Sequence, residues 1–145
     1  MKKARKSLAI LLTAAMVLTM VPVLAFAAEG IGGQVNRLAG ANRYDTSAKT
    51  ALDAYPNGVE TVIVARGDNE GQFADGLAAS YLAGLKGAPI LLTDPKVLPQ
   101  EIEDAIVKLK AKKAYVLGGE LAVSPVVESK LKNLNMEVKR IQGDN

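Results

Sequence analysis

The stretch "VETVIVARGDNEGQFADGLAASYLAGLKGAPILLT", residues 59–93, decides the fold. It opens on a β-branched run, Val59 to Ala65, set between the breaker Pro56-Asn57-Gly58 and the polar loop "RGDNEGQFAD". A short continuous apolar run between breakers reads as a strand buried on both faces. From about Asp75 to Lys86 the spacing predicts a helix, with Leu77, Ala78, Tyr81, Leu82 and Leu85 on one face. Ala79, Ala83 and Gly84 are small enough to let that helix lie close to its neighbour, and Gly87 stops it. "APILLT", Ala88 to Thr93, is then a second buried strand. Two buried strands joined through a helix pair in parallel by a right-handed crossover.

The alternation continues in both directions. Upstream, Asp45 or Thr46 can cap a helix whose apolar positions Ala48, Ala51, Leu52 and Tyr55 keep helical spacing. Downstream, "DPKVLP" leads into a helix with Pro99 at its first position and Ile102, Ala105, Ile106 and Leu109 facing inward. Glu101, Glu103 and Asp104 occupy its first turn and Lys108, Lys110 and Lys112 its end, as the helix dipole favours, so the lysine run reads as helix-end chemistry. "KAYVLGG" is a third strand, Ser124-Pro125 caps and opens a fourth helix with Val127, Leu131 and Leu134 inward, and "MEVKRI" is the strand that delivers Arg140. The expected fold is an α/β three-layer sandwich: a small, mainly parallel sheet with helices on both faces.

Residues 1–27 stand outside that pattern. Lys2, Lys3, Arg5 and Lys6, the apolar run Leu8 to Val21, and Ala25-Phe26-Ala27 together read as a secretory signal peptide, with residues 28–36 a glycine-rich lead-in. Four of the 18 basic groups and none of the 15 acidic ones fall in the leader, leaving 14 against 15 on the mature chain. The basic balance therefore belongs to the leader, and nothing supports binding to nucleic acid, or to a membrane once the leader is gone. The 118 residues left of 145 suffice for one core, and without cysteine that core must hold by packing alone.

Ligands of parallel sheets bind outside the carboxyl ends of the strands. The loops there carry Arg66, Gly67, Asp68 and Asn69, then Thr93 and Asp94, then Gly118, Gly119 and Glu120, and finally Arg140 with Gly143. The absence of histidine and cysteine from the sequence excludes a histidine-assisted serine triad, a cysteine protease and zinc sites built on those residues. No nucleophile elbow, dinucleotide fingerprint or P-loop is present, and no cofactor is expected. Asp68, Asp75 and Asp94 read as a helix cap and turn residues before they read as a catalytic pair. Gly118-Gly119 reads as a tight turn, or as backbone that admits an anion. Arg37, Arg43 and Arg140 are the more informative polar positions, since arginine binds phosphate or carboxylate bidentately and Tyr44 beside Arg43 can stack on a sugar. Equally, Arg43 can pair with Asp45 or a neighbouring module, and Tyr44 can be a packing anchor.

Arg140-Ile141-Gln142-Gly143-Asp144-Asn145 matches Arg37-Leu38-Ala39-Gly40-Ala41-Asn42 in arginine, an aliphatic residue, glycine and asparagine. If both arginines end strands, residues 37–139 are one repeat and 140–145 open a second, truncated one; so long a period suggests tandem domains. "RLAGANRYDTSAKTA", "FADGLAASYLAGLKGAPILLT", "AYVLGGELAVSPVVESKL" and "VKRIQGDN", in this order, resemble the type-2 cell-wall-binding repeat of clostridial cell-wall and surface-layer proteins and of some Bacillus amidases and their modifiers. By that resemblance Arg37, Gly40, Arg43, Tyr44 and Thr46 match the opening motif, Asp75 and Leu77 the helix motif, Pro89 and Leu92 the second strand, Gly118 and Gly119 the double glycine, and Arg140 and Gly143 the next opening. The resemblance implies a non-catalytic module held on an anionic wall polysaccharide or teichoic-acid-like polymer, packed with neighbouring repeats of its own chain at the cell surface. Candidate polymer or module contacts are Arg37, Arg43, Tyr44, Arg66, Asp68, Asn69, Gly118, Gly119 and Arg140. The alternatives are the targeting part of a wall hydrolase whose catalytic domain lies elsewhere, and a module that serves assembly alone.

Overall fold

The computed structural model describes residues 36–68 and 74–143; the expected leader, most of the lead-in, Asn69 and residues 144–145 lie outside them. The order of elements is α1 (Arg43–Ala54), β1 (Thr61–Arg66), α2 (Ala74–Lys86), β2 (Ile90–Thr93), α3 (Gln100–Leu109), β3 (Lys113–Leu117), α4 (Pro125–Asn133) and β4 (Glu137–Ile141). The four strands form one sheet in the order β2-β1-β3-β4, and every pairing is parallel.

Alternation along β1 and β3 divides the core. Val62, Val64, Ala114 and Val116 face the cluster built by α1, α3 and α4, with Ala48, Ala51, Ile102, Ile106, Leu109, Val127 and Leu131. Ile63, Ala65 and Leu117 face the other way, onto Ala79 with Leu82 and Ala83 of α2. Three helices cover one face and one covers the other, which is the three-layer sandwich expected. Strand bounds shift by two residues because Val59 donates its N–H to the Leu109 carbonyl at 2.9 Å and Ala88 donates to Ala83 at 3.0 Å before each ladder begins. The outer edge of β2 is guarded: Pro89 has no N–H, and the Leu92 N–H reaches Ser47 Oγ at 3.1 Å.

Three expectations are corrected. The cap of α1 is Asn42, not Asp45 or Thr46. Leu77, Tyr81 and Leu85 do not face the core: they are 74%, 80% and 66% exposed, and Ala79 is the fully buried residue of α2. Small side chains let the backbone approach the sheet, so the alanine stripe wins over the leucine stripe. Ser124 holds the cap position of α4, but its side chain makes no capping bond; its N–H instead donates to the Pro95 carbonyl at 2.8 Å. Ile106→Ala should lower the unfolding free energy by about 2–5 kcal/mol, and Leu77→Ser should change it by less than about 0.5 kcal/mol; urea midpoints of the two variants check both.

Candidate functional site

The carboxyl edge is organised by the turn that enters α1. Asn42 Oδ1 accepts from the Asp45 N–H at 2.8 Å, and Asp45 Oδ2 accepts in return from the Ala41 N–H at 2.8 Å. Thr46 Oγ1 accepts from the Gly40 N–H at 3.0 Å and donates to the Asn42 carbonyl at 2.8 Å. A side chain at Gly40 would place its Cβ 2.6 Å from Asp45 Cβ, so this closure needs glycine. The Ala41 N–H, with Lys49 behind it, holds the Asp45 carboxyl below its ordinary range.

This turn aims Arg43 at the end of β1. Its Nη1 donates to the carbonyls of Gly67 at 3.2 Å and Asp68 at 2.8 Å. Arg66 grips Asp68 with two bonds, Nε to Oδ1 at 3.0 Å and Nη2 to Oδ2 at 2.6 Å, both side chains being largely buried. Tyr44 belongs to the same group: burial pushes its hydroxyl up, Asp94 and Asp68 add to that, and Arg43 and Arg66 oppose it. Asp94 Oδ1 accepts from the N–H groups of Lys96 and Val97 at 2.8 and 3.1 Å, the turn role the sequence favours. Arg43, Tyr44, Arg66, Asp68 and Asp94 thus meet where β1 and β2 end.

Arg140 lies in a second group. It donates from Nη1 to the Gly118 carbonyl at 2.7 Å, from Nη2 to the Val123 carbonyl at 2.8 Å, and from Nε and Nη2 to Glu128 Oε2 at 3.1 and 2.8 Å. Lys132 and Arg140 hold the Glu128 carboxyl below its ordinary range against the opposing effect of burial. Gly118 has φ of 90°, and a Cβ there would collide with Asp75 Oδ2 and lie 2.7 Å from Ala122 Cβ. The tight-turn reading therefore holds for Gly118, whereas a Cβ at Gly119 would meet only Gln142 Oε1 at 3.8 Å. Arg37 is exposed, and the described residues 36–40 contain no strand. Its counterpart Arg140 has β3 to pair against; Arg37 precedes the first helix and has no such edge.

A cavity of about 390 Å³ opens beside Gly118, lined by Asp75, Leu82, Leu117, Ile141 and Gln142. A more apolar groove of about 680 Å³ runs along β2 between Ser47, Tyr55, Ala83 and Ile90. No group of acidic side chains among the described residues could hold a metal ion, and no described helix is long and apolar enough to cross a membrane.

The model of the cell wall binding domain 2 family, CWB2, matches residues 37–128. The chain belongs to the CWB2 family. It is 32% identical over 111 residues to N-acetylmuramoyl-L-alanine amidase LytC of Bacillus subtilis strain 168, covering 77% of this chain and 22% of the amidase. It is 34% identical over 110 residues to the amidase enhancer of the same organism, covering 76% of this chain and 15% of the enhancer. Among solved structures it resembles Cwp8 from Clostridium difficile, with a TM-score of 0.69, 33% identity, and coverage of 90% of this chain and 23% of that one. The chain thus spans less than a quarter of each of these relatives. The match to the family model ends at Glu128, before β4, although Arg140 of β4 ties Glu128 to the loop after β3 in this CWB2 domain.

Arg140→Ala should destabilise the domain by about 3 kcal/mol, since two carbonyls and a carboxylate lose their donor, while Arg37→Ala should stay within about 0.5 kcal/mol. Thermal unfolding of both variants checks the contrast. Because the Glu128 carboxyl is depressed in the fold, its contribution is present above its unfolded pKa and lost as pH falls through the folded one. Glu128→Gln should therefore flatten the acid limb of the stability profile, read from denaturation midpoints at descending pH.

Proposed function

We propose that this CWB2 domain holds an exported protein non-covalently on an anionic secondary polymer of the cell wall, as one of several tandem copies. One observation carries the reading. The same domain covers 22% of an amidase, 15% of an amidase enhancer and 23% of Cwp8, proteins that share no single chemistry by name. A domain common to an enzyme, an enhancer of an enzyme and a third protein supplies what all three need, which for this family is attachment to the wall.

We place the polymer contact on the crevice where β1 and β2 end, with Arg43 and Tyr44 toward acidic groups and sugar rings and Arg66 held against Asp68 behind them. Arg140 and Gly118 are assigned to holding the domain together. Tandem copies are supported by the match of Arg140–Asn145 to Arg37–Asn42, and by the exposed stripe Leu77, Tyr81 and Leu85, an apolar face that a neighbouring copy would cover. The likeness to an amidase supports a second reading, in which this domain targets a wall hydrolase whose catalytic part lies in another segment of the protein. Both readings use the domain in the same way.

The test is sedimentation of the full-length protein with purified Gram-positive walls, untreated and after chemical removal of their secondary polymers. Retention on untreated walls and loss on stripped walls is expected, with Arg43→Ala weakening the first. Equal retention on both would overturn the reading.

A further inference from the structure

The carboxyl edge carries two candidate crevices. The segment after β1 leads to α2 on one face, whereas those after β2 and β3 lead to α3 and α4 on the other. Loops that part to opposite faces open a crevice between adjacent strand ends, where sheets of this kind bind ligands. The crevice between β1 and β2 holds Arg43, Tyr44 and Arg66. The 390 Å³ cavity beside Gly118 lies elsewhere on the same edge, between α2 and the ends of β3 and β4, and is large enough for a small ligand.

Its chemistry differs from that of its neighbour. Asp75 puts a carboxylate into it, and the turn at Gly118 is shaped around that carboxylate, since any Cβ at 118 would collide with Oδ2. Among the described residues no donor reaches the Asp75 carboxylate; the Gly118 N–H beside it is already given to the Ile141 carbonyl at 2.9 Å. A half-buried carboxylate without a donor gains most from a ligand that brings hydroxyls. Leu82, Leu117 and Ile141 give the cavity an apolar wall, and the exposed Gln142 amide offers a donor and an acceptor at the rim.

The geometry points to this crevice as a subsite for an uncharged sugar residue, with two ring hydroxyls donating to Asp75 and the C–H face of the ring resting on Leu117 and Ile141. This rests on the wall-polymer reading and divides its labour. The arginine crevice takes the acidic groups of the chain, and the Asp75 crevice takes a neutral sugar and rejects phosphate or carboxylate. Both open on the carboxyl edge of one four-stranded sheet, so units of one polymer can occupy both.

The test is an amide chemical-shift titration of the full chain with glucose, mannose and N-acetylglucosamine, and separately with inorganic phosphate. At least one sugar should shift the amides of Gly118, Gln142 and Gly143, phosphate should leave them in place, and Asp75→Asn should weaken the sugar response about tenfold. Gln142→Ala, an exposed change that the fold tolerates, should weaken it by a smaller factor and carries the test if the Asp75 variant loses its dispersed spectrum. The proposal is overturned if none of the three sugars shifts these amides, if phosphate shifts them, or if both variants respond as the wild type does. Wall sedimentation keeps the two ideas apart: full-length protein retained on walls with no sugar shifts sinks only the crevice, and failure to sediment sinks the wall reading itself.

Discussion

Burial of β1 on both faces and both edges is the constraint from which the rest follows. Val62, Ile63, Val64 and Ala65 are all fully buried, and the strand pairs with β2 on one side and β3 on the other. A strand so enclosed satisfies its backbone only through parallel neighbours, and parallel neighbours require crossovers. The crossover after β1 is the one that takes a helix to the thinly covered face. That single choice sets apart the loop after β1 from the loops on either side of it, which opens the crevice between β1 and β2, and it lays α2 along one wall of the Asp75 cavity. The candidate chemistry of the domain is therefore a consequence of where α2 lies.

The opening motif has a double use. Gly40, Asn42, Asp45 and Thr46 close a turn through reciprocal side-chain and backbone bonds, and the product of that closure is the position of Arg43 over the end of β1. At the other end Arg140 belongs to the sheet of this domain: Val116 stands opposite it in β3, and its guanidinium ties β4 to the Gly118 turn and to α4. The boundary between residues 139 and 140 falls inside β4. In the tandem reading the first arginine of each motif completes the domain before it, and the second arranges the binding edge of the domain after it.

The strands and the sides of α3 and α4 were legible because β-branched runs and apolar spacing are local signals. Ile102, Ala105, Ile106 and Leu109 point inward as their period requires. The side of α2 was not legible, because an alanine-rich helix is apolar almost all round and only the depth of the sheet beneath it chooses between Ala79 and Leu77. The cap of α1 was ambiguous for a similar reason: Asn42, Asp45 and Thr46 are all capping types, and all three take part in the closure. Of the site residues, the sequence places Arg66, Asp68 and Asp94 on one edge and Arg43 with Tyr44 in the opening motif, but cannot show that Arg43 reaches that edge or that Arg66 grips Asp68. The roles of Glu128 and Val123 toward Arg140 lie 12 and 17 residues away across a helix and a loop, with no periodicity to announce them. The crevice of Asp75 was missed because its wall joins α2, β3 and the residues after β4, which only the strand order brings together.

Electrostatics then limits how such a domain can hold a charged polymer. Residues 28–145 carry 14 basic against 15 acidic groups, so no long-range field draws an anion to them. Arg66 and Arg140 are already engaged with carboxylates at 2.6 and 2.8 Å, which leaves local geometry to supply affinity. One shallow edge of that kind binds weakly. If the motif at Arg140 opens a second copy, however, only five residues separate it from the counterpart of Arg43, a span of at most about 21 Å. The carboxyl edge that Arg140 completes and the one the next arginine builds would then be neighbours, and a repeating polymer bound at one would meet the other at high effective concentration. On the proposed tandem reading, attachment weak per site and firm per chain would follow from the spacing of two arginines in a single shared motif.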